Sequence, residues 1–166
     1  MNTEVKANNN WVIYSTILLG FILLILPLSK YSLLLAQIRP EFPILIVYYW
    51  CLALPERTGL ATAWATGIFQ DSLTGSLIGI HALTFVLTAF IMTRFYQRIR
   101  VSSMWSQTFT VLGLILFHKL IFLWATSATN QQILGFQYWG AAITSAIFWP
   151  LIFFGLRNIR KQLGVR

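Results

Sequence analysis

The chain alternates between long stretches free of ionisable acids and bases and short clusters of charge. The charge-free runs cover 7–29, 42–55, 58–70, 72–93, 101–118 and 120–156. A bilayer core of about 30 Å needs about 20 apolar residues per helix, and several runs meet or approach that length. The pattern predicts an all-α, polytopic membrane helix bundle with spans over about 11–28, 42–54, 58–70, 73–93, 104–126 and 136–156. No stretch has the polarity of a separate soluble domain, so 1–166 reads as a single integral membrane domain. The preceding tail carries one Lys and one Glu, and no small-residue cleavage site follows the first run, which argues against a signal peptide.

Two of the six spans are short. A helix of about 13 residues rises only roughly 20 Å, less than the hydrocarbon thickness. Such segments are stable where other helices shield their ends or the bilayer thins around them. Spans two and three are therefore expected to be packed within the bundle or against a partner. Pro40 and Pro43 fit a helix start, because proline lacks a backbone donor and restricts the residue before it. The polar patch Thr126–Gln132 interrupts a run too long for one helix and is expected to be a loop.

Charge sets the direction. Six spans leave both termini on one side, with Lys6, Arg57, Arg94, Arg98, Arg100, Arg157, Arg160, Lys161 and Arg166. The other side has Lys30 and Arg39, and Lys119 falls inside a span. Lys and Arg accumulate on cytoplasmic loops, so both termini are expected in the cytoplasm. Four spans plus a re-entrant hairpin, made from the two short segments, keep the same orientation and stay open.

Composition agrees: 57% of residues are hydrophobic and 10% charged, where soluble domains carry about 25% charge. The net charge of +8 reads as the cytoplasmic bias of a membrane protein, and no nucleic acid partner is expected. The lone Cys51 excludes a disulfide framework and a cysteine-rich metal site.

The chemistry sits in a few polar positions. Gly59, Ala63, Gly67, Asp71, Gly75 and Gly79 recur every four residues, a spacing that lets helix backbones approach closely in lipid. It fits packing inside the bundle and contact with another protein's helix alike, and the glycine near Asp71 equally fits a turn between two spans. Asp71, the only acid after Arg57, fits an N-cap for a helix beginning near Ser72. It equally fits a partner for Arg39 or Lys119, since charges at membrane depth are costly unless paired. His118–Lys119 fits a proton relay or substrate element, but a paired or snorkelling lysine is the simpler reading. In the knot Arg39–Pro40–Glu41, Glu41 balances Arg39 or leaves it to meet lipid phosphate. Two histidines, four acids and one cysteine give no metal-ligand spacing, no paired carboxylates and no nucleophile with an evident base. No catalytic residue, cofactor or metal is expected.

Three stretches, Arg39–Pro40–Glu41–Phe42 through Tyr49–Trp50, Leu52 to Arg57, and Gly67 to Leu83, resemble the rod shape-determining MreD family. The N-terminal span, the Trp149–Pro150 pair, the basic tail and the length fit the same pattern, so the resemblance covers essentially the whole chain. It implies a multi-pass inner-membrane component of the machinery for lateral cell-wall synthesis in rod-shaped bacteria, with no reaction of its own. It also implies partnership with MreC, the actin-like MreB, RodZ, the polymerase RodA and a class B penicillin-binding protein. The architecture is similar to the six-span S-components of energy-coupling-factor transporters. Arg39, Pro40, Gly67, Asp71, Gly75 and Gly79 are the matched positions, expected to form the motif that packs against MreC. Arg94, Arg98, Arg100, Arg157, Arg160 and Lys161 are expected to meet anionic lipid or a cytoplasmic partner. A small-solute-binding transport subunit, with a cavity around Asp71, His118 and Lys119, is the alternative.

Overall fold

A computed structural model describes residues 10–26, 38–127 and 137–164. Among them are seven helices: α1 (Asn10–Ile25), α2 (Phe42–Ala53), α3 (Leu60–Thr74), α4 (Ile80–Arg94), α5 (Tyr96–Val101), α6 (Met104–Ser127) and α7 (Gln137–Gln162). No strand occurs among the described residues. Two helices, α6 and α7, are long and apolar enough to cross a membrane, and α1, α2 and α4 are shorter apolar helices.

The bundle is built around α2. Every residue from Pro43 to Leu52 is buried, because α1, α3, α4, α5 and α7 all pack against it. The helix that is too short for a bilayer is thus shielded on all sides. Trp50 donates its indole N–H to Thr16 Oγ1 at 2.8 Å, tying α2 to α1. The outer surface has the opposite character. Trp105, Trp124, Leu151, Phe109 and Ile147 are each more than two-thirds exposed, while Gln70, Asp71, Gln107, His118, Lys119 and Ser145 are buried. Apolar side chains outside and polar ones inside suit a lipid solvent, where polar groups must be satisfied within the protein.

The stripe of small residues is not one continuous helix face. α3 ends at Thr74, with Gly75 in the left-handed region at φ 65° and Gly79 at φ 108° just before α4. These two glycines serve the turn, since other residues reach such angles only at a cost of roughly 1–2 kcal/mol. Gly67 does serve packing. A Cβ there would lie 2.5 Å from the Ala82 backbone nitrogen and 2.8 Å from the His81 carbonyl carbon, so α3 and α4 touch backbone to backbone. Gly67→Ala is therefore expected to lower stability by about 1–3 kcal/mol, as overpacking does. Gly113→Ala in α6, where a Cβ meets nothing within 4 Å, should be neutral or slightly stabilising. Thermal unfolding in detergent, followed by tryptophan fluorescence, reads both.

Several sequence expectations change. Thr126 and Ser127 close α6 instead of opening a loop, because α6 keeps its apolar pattern to that point. α7 continues past Leu156 through the basic residues to Gln162, and the cluster of Arg98 and Arg100 forms the short helix α5. Residues 27–28 of the first span, 128–132 of the polar patch, position 136, Lys6, Lys30 and Arg166 lie outside the described residues.

Candidate functional site

Two ionic clusters meet across one cavity. The first begins at the N-terminus of α2, where the chain is fixed against α7. The Glu41 N–H donates to Ser145 Oγ at 3.0 Å, and Thr144 Oγ1 donates to the Ile38 carbonyl at 2.6 Å. With Glu41 held at the N-cap position and Pro43 in the first turn, its carboxylate reaches α6. Lys119 Nζ lies 2.6 Å from Glu41 Oε1, and His118 Nε2 lies 3.2 Å from Oε2. The His118 contact is within ion-pair range but lacks hydrogen-bond alignment, since Glu41 Oε2 has no hydrogen-bond partner. Tyr138 on α7 completes the cluster. Lys119 Nζ sits 4.0 Å from its ring centroid, and the Tyr138 hydroxyl donates to the Lys119 carbonyl at 3.3 Å. A cation over an aromatic face gains more when desolvated.

The second cluster joins α3 to α4. Asp71 is fully buried in the last turn of α3. Its Oδ2 accepts the Gly79 N–H at 2.8 Å, and its Oδ1 accepts from the His81 N–H at 3.1 Å and the Ser76 hydroxyl at 2.7 Å. His81 Nδ1 lies 2.7 Å from the same Oδ1, so the ring nitrogen carries the proton toward an ionised carboxylate. Asp71 thus caps α4 from a neighbouring helix, where the unpaired N–H groups and the positive end of the dipole favour a negative charge.

His81 links the clusters, with its ring centroid 6.1 Å from that of His118 and 4.6 Å from that of Phe122. Between them opens a cavity of about 490 Å³, rimmed by Arg39, Glu41, Gln70, Thr74, Lys119 and Tyr138 among others. Glu41 Oε2, His118 Nδ1 and Gln70 Oε1 are buried there without a hydrogen-bond partner. Buried polar atoms are usually satisfied, so these three leave hydrogen-bonding capacity unused in the residues that line the cavity.

The positions singled out in the sequence divide clearly. Arg39, Pro40 and Gly75 line the cavity, and Asp71 braces it through His81. Gly67 is consumed by the α3–α4 contact, and Gly79 supplies its N–H to Asp71. Three expectations are corrected. Asp71 does not cap a helix starting near Ser72, because α3 runs on to Thr74. It does not pair with Arg39 or Lys119 either, since four donors from 76–81 already surround it. Glu41 does not balance Arg39: its carboxylate turns toward Lys119, and Arg39 Nη1 donates to the Leu26 carbonyl at 3.0 Å. His81, Ser76, Gln70 and Tyr138 also build the site, and the sequence pattern alone assigns them no role. His81 carried a signal, as an ionisable residue directly beyond a glycine-rich turn and close in sequence to Asp71.

Comparison with known proteins decides the family. The family model described as rod shape-determining protein MreD matches residues 5–159. The chain belongs to the MreD family. Rod shape-determining protein MreD of Haemophilus influenzae is 26% identical over 149 residues, which cover 89% of this chain and 92% of that protein. No solved structure matches. The MreD match takes in both clusters and the cavity, and the family identifies a membrane protein that determines rod shape. Among the described residues no group of three or more His, Cys, Asp or Glu is placed to hold a metal ion.

Proposed function

We propose that this MreD-family protein is a non-enzymatic scaffold of the bacterial inner membrane that binds MreC and supports lateral peptidoglycan synthesis. The observation that carries the reading is the family match over 5–159. In this reading the chain crosses the membrane six times with both termini cytoplasmic, in an arrangement similar to transporter S-components. The burial of α2 supports that arrangement, since it removes the objection to a short second span. MreB, RodZ, RodA and a class B penicillin-binding protein join through the larger complex. Arg94, Arg98, Arg100, Arg157, Arg160 and Lys161 face the cytoplasmic leaflet, where each basic residue gains about 1 kcal/mol from anionic lipid.

The docking place we propose for MreC is the cavity between the two ionic clusters. Arg39, Pro40, Asp71 and Gly75 lie in or directly behind its wall, and Gly67 and Gly79 hold the α3–α4 hairpin that forms one side. Its unpartnered polar atoms suit the polar end of a transmembrane helix or the residues just beyond it.

Co-purification of MreC with the detergent-solubilised chain tests this. The wild type is expected to retain MreC, and Thr74→Trp at the exposed cavity rim is expected to lose most of it. Gly75→Leu is a poorer probe, because its φ of 65° mixes backbone strain with any loss of contact. A failure of the wild type to retain MreC would overturn the scaffold reading.

The size and polar lining of the cavity favour one second reading, a small-solute-binding subunit of a transporter. It requires saturable binding of a small molecule that weakens when His118 or Lys119 is replaced, with no dependence on MreC.

A further inference from the structure

At the end of α2 remote from Glu41, a second cavity of about 160 Å³ opens between α2, α5 and α7. That is well above the roughly 10–15 Å³ that admits a single water. Its wall contains Tyr49, Arg100, Phe153, Arg157 and Arg160. Arg157 and Arg160 are three residues apart on α7 and so share one face, while Arg100 comes from α5. Three positive charges therefore converge from two helices.

None of them has an acidic partner: among the described residues the ion pairs involve only Asp71 and Glu41. Glu56, in the connection between α2 and α3, lines the adjoining cavity with Arg57 and Arg100. It is exposed and forms no ion pair.

The second observation is Tyr49. It is 2% exposed, and its hydroxyl has no hydrogen-bond partner, yet it lies within electrostatic reach of Arg160, Arg157 and Arg100. Buried hydroxyls rarely go unpaired. A hydroxyl able to donate, on a residue that lines one cavity with three arginines, matches an anion with several acceptor oxygens. Arginine suits phosphate in particular, through paired N–H···O bonds. Scattered basic residues at a membrane surface need no such buried donor.

We propose that Tyr49, Arg100, Arg157 and Arg160 form a binding site for a phosphate-bearing anion, supplied as an acidic lipid headgroup or as a soluble phosphate. The Tyr49 hydroxyl and the guanidinium groups donate to the phosphate oxygens, and Phe153 forms the apolar wall. The site narrows the general lipid contact of the basic end to one cleft, and it stands apart from the MreC reading.

The test is thermal unfolding of the chain in a phosphate-free maltoside detergent, titrated with short-chain phosphatidylglycerol or with inorganic phosphate. Saturable stabilisation by phosphatidylglycerol at concentrations where phosphate has no effect identifies a lipid headgroup. Saturable stabilisation by phosphate alone identifies a soluble anion. Tyr49→Phe is nearly isosteric, so it preserves packing and is expected to weaken binding by about tenfold, the loss of one hydrogen bond to a charged group. Arg157→Gln with Arg160→Gln should abolish saturation, whereas Arg94→Gln with Arg98→Gln, of equal charge but outside the cavity, should change the apparent Kd less than about twofold. No saturable effect from either ligand would overturn the proposal. So would equal losses from the two arginine pairs, or unchanged binding by Tyr49→Phe, since a diffuse basic surface predicts both.

Discussion

Glu41→Ala is expected to destabilise the protein by about 3–5 kcal/mol, because removing one partner of a buried pair leaves the other charge uncompensated. Lys119 is the charge left behind. Its side chain is 4% exposed, against 17% for Glu41, so water reaches the carboxylate more readily than the ammonium. That asymmetry puts the opposite change, Lys119→Met, at a smaller loss. The double change Glu41→Ala with Lys119→Met should recover most of the stability lost in Glu41→Ala alone, since an apolar replacement for a buried pair is often neutral or better. Unfolding of the four proteins in detergent, taken as a double-mutant cycle, isolates the coupling. Additive losses would show that Lys119 is satisfied elsewhere.

Asp71→Ala should rank second, with a loss of about 3 kcal/mol or more. Each buried donor left unsatisfied costs roughly 1–3 kcal/mol, and Asp71 serves Ser76, Gly79 and both donors of His81. Ser76→Ala removes only one of these donors and keeps the carboxylate, so it should cost about 1 kcal/mol. Asp71→Asn should fall between them, as its amide retains one acceptor oxygen but turns its N–H₂ toward other donors. Hydrogen exchange separates a local from a global effect. Amides in the first turn of α4 should lose protection in Asp71→Ala well before those of α2, because the cap acts on that turn alone. Equal loss in both helices would mean that Asp71 holds the whole bundle.

These two residues also show what the sequence carries and what it does not. Helix positions are largely legible because they follow apolar runs, and Pro43 marks the start of α2, but a span read from 73 runs over the turn at Gly75 that separates α3 from α4. The need for an acid near Lys119 is legible too, since a lysine at that depth demands one. Which acid is not. Glu41 and Asp71 are both available by charge, and the choice follows from Ser145 and Thr144 fixing the chain before α2. Local periodicity contains nothing of that long-range contact. Asp71 itself looks like a cap for the residues after it. Only the left-handed turn at Gly75 and Gly79 brings the next helix back onto the carboxylate. The small-residue spacing leaves packing and turn both open for a related reason, because one repeat of four spans both a helix and the turn that ends it. The basic tail was legible as charge, but its convergence with Arg100 beside Tyr49 depends on how α5 and α7 pack.

Occupation of the cavity between the ionic clusters by MreC is tested most directly by site-specific photocrosslinking in intact membranes. A photoreactive residue at Thr74, on the cavity rim, is expected to crosslink to MreC. The same residue at Trp105, an exposed position in the first turn of α6, should not. Crosslinks to MreC from Trp105 but none from Thr74 would contradict the account and move the partner to another face of the bundle.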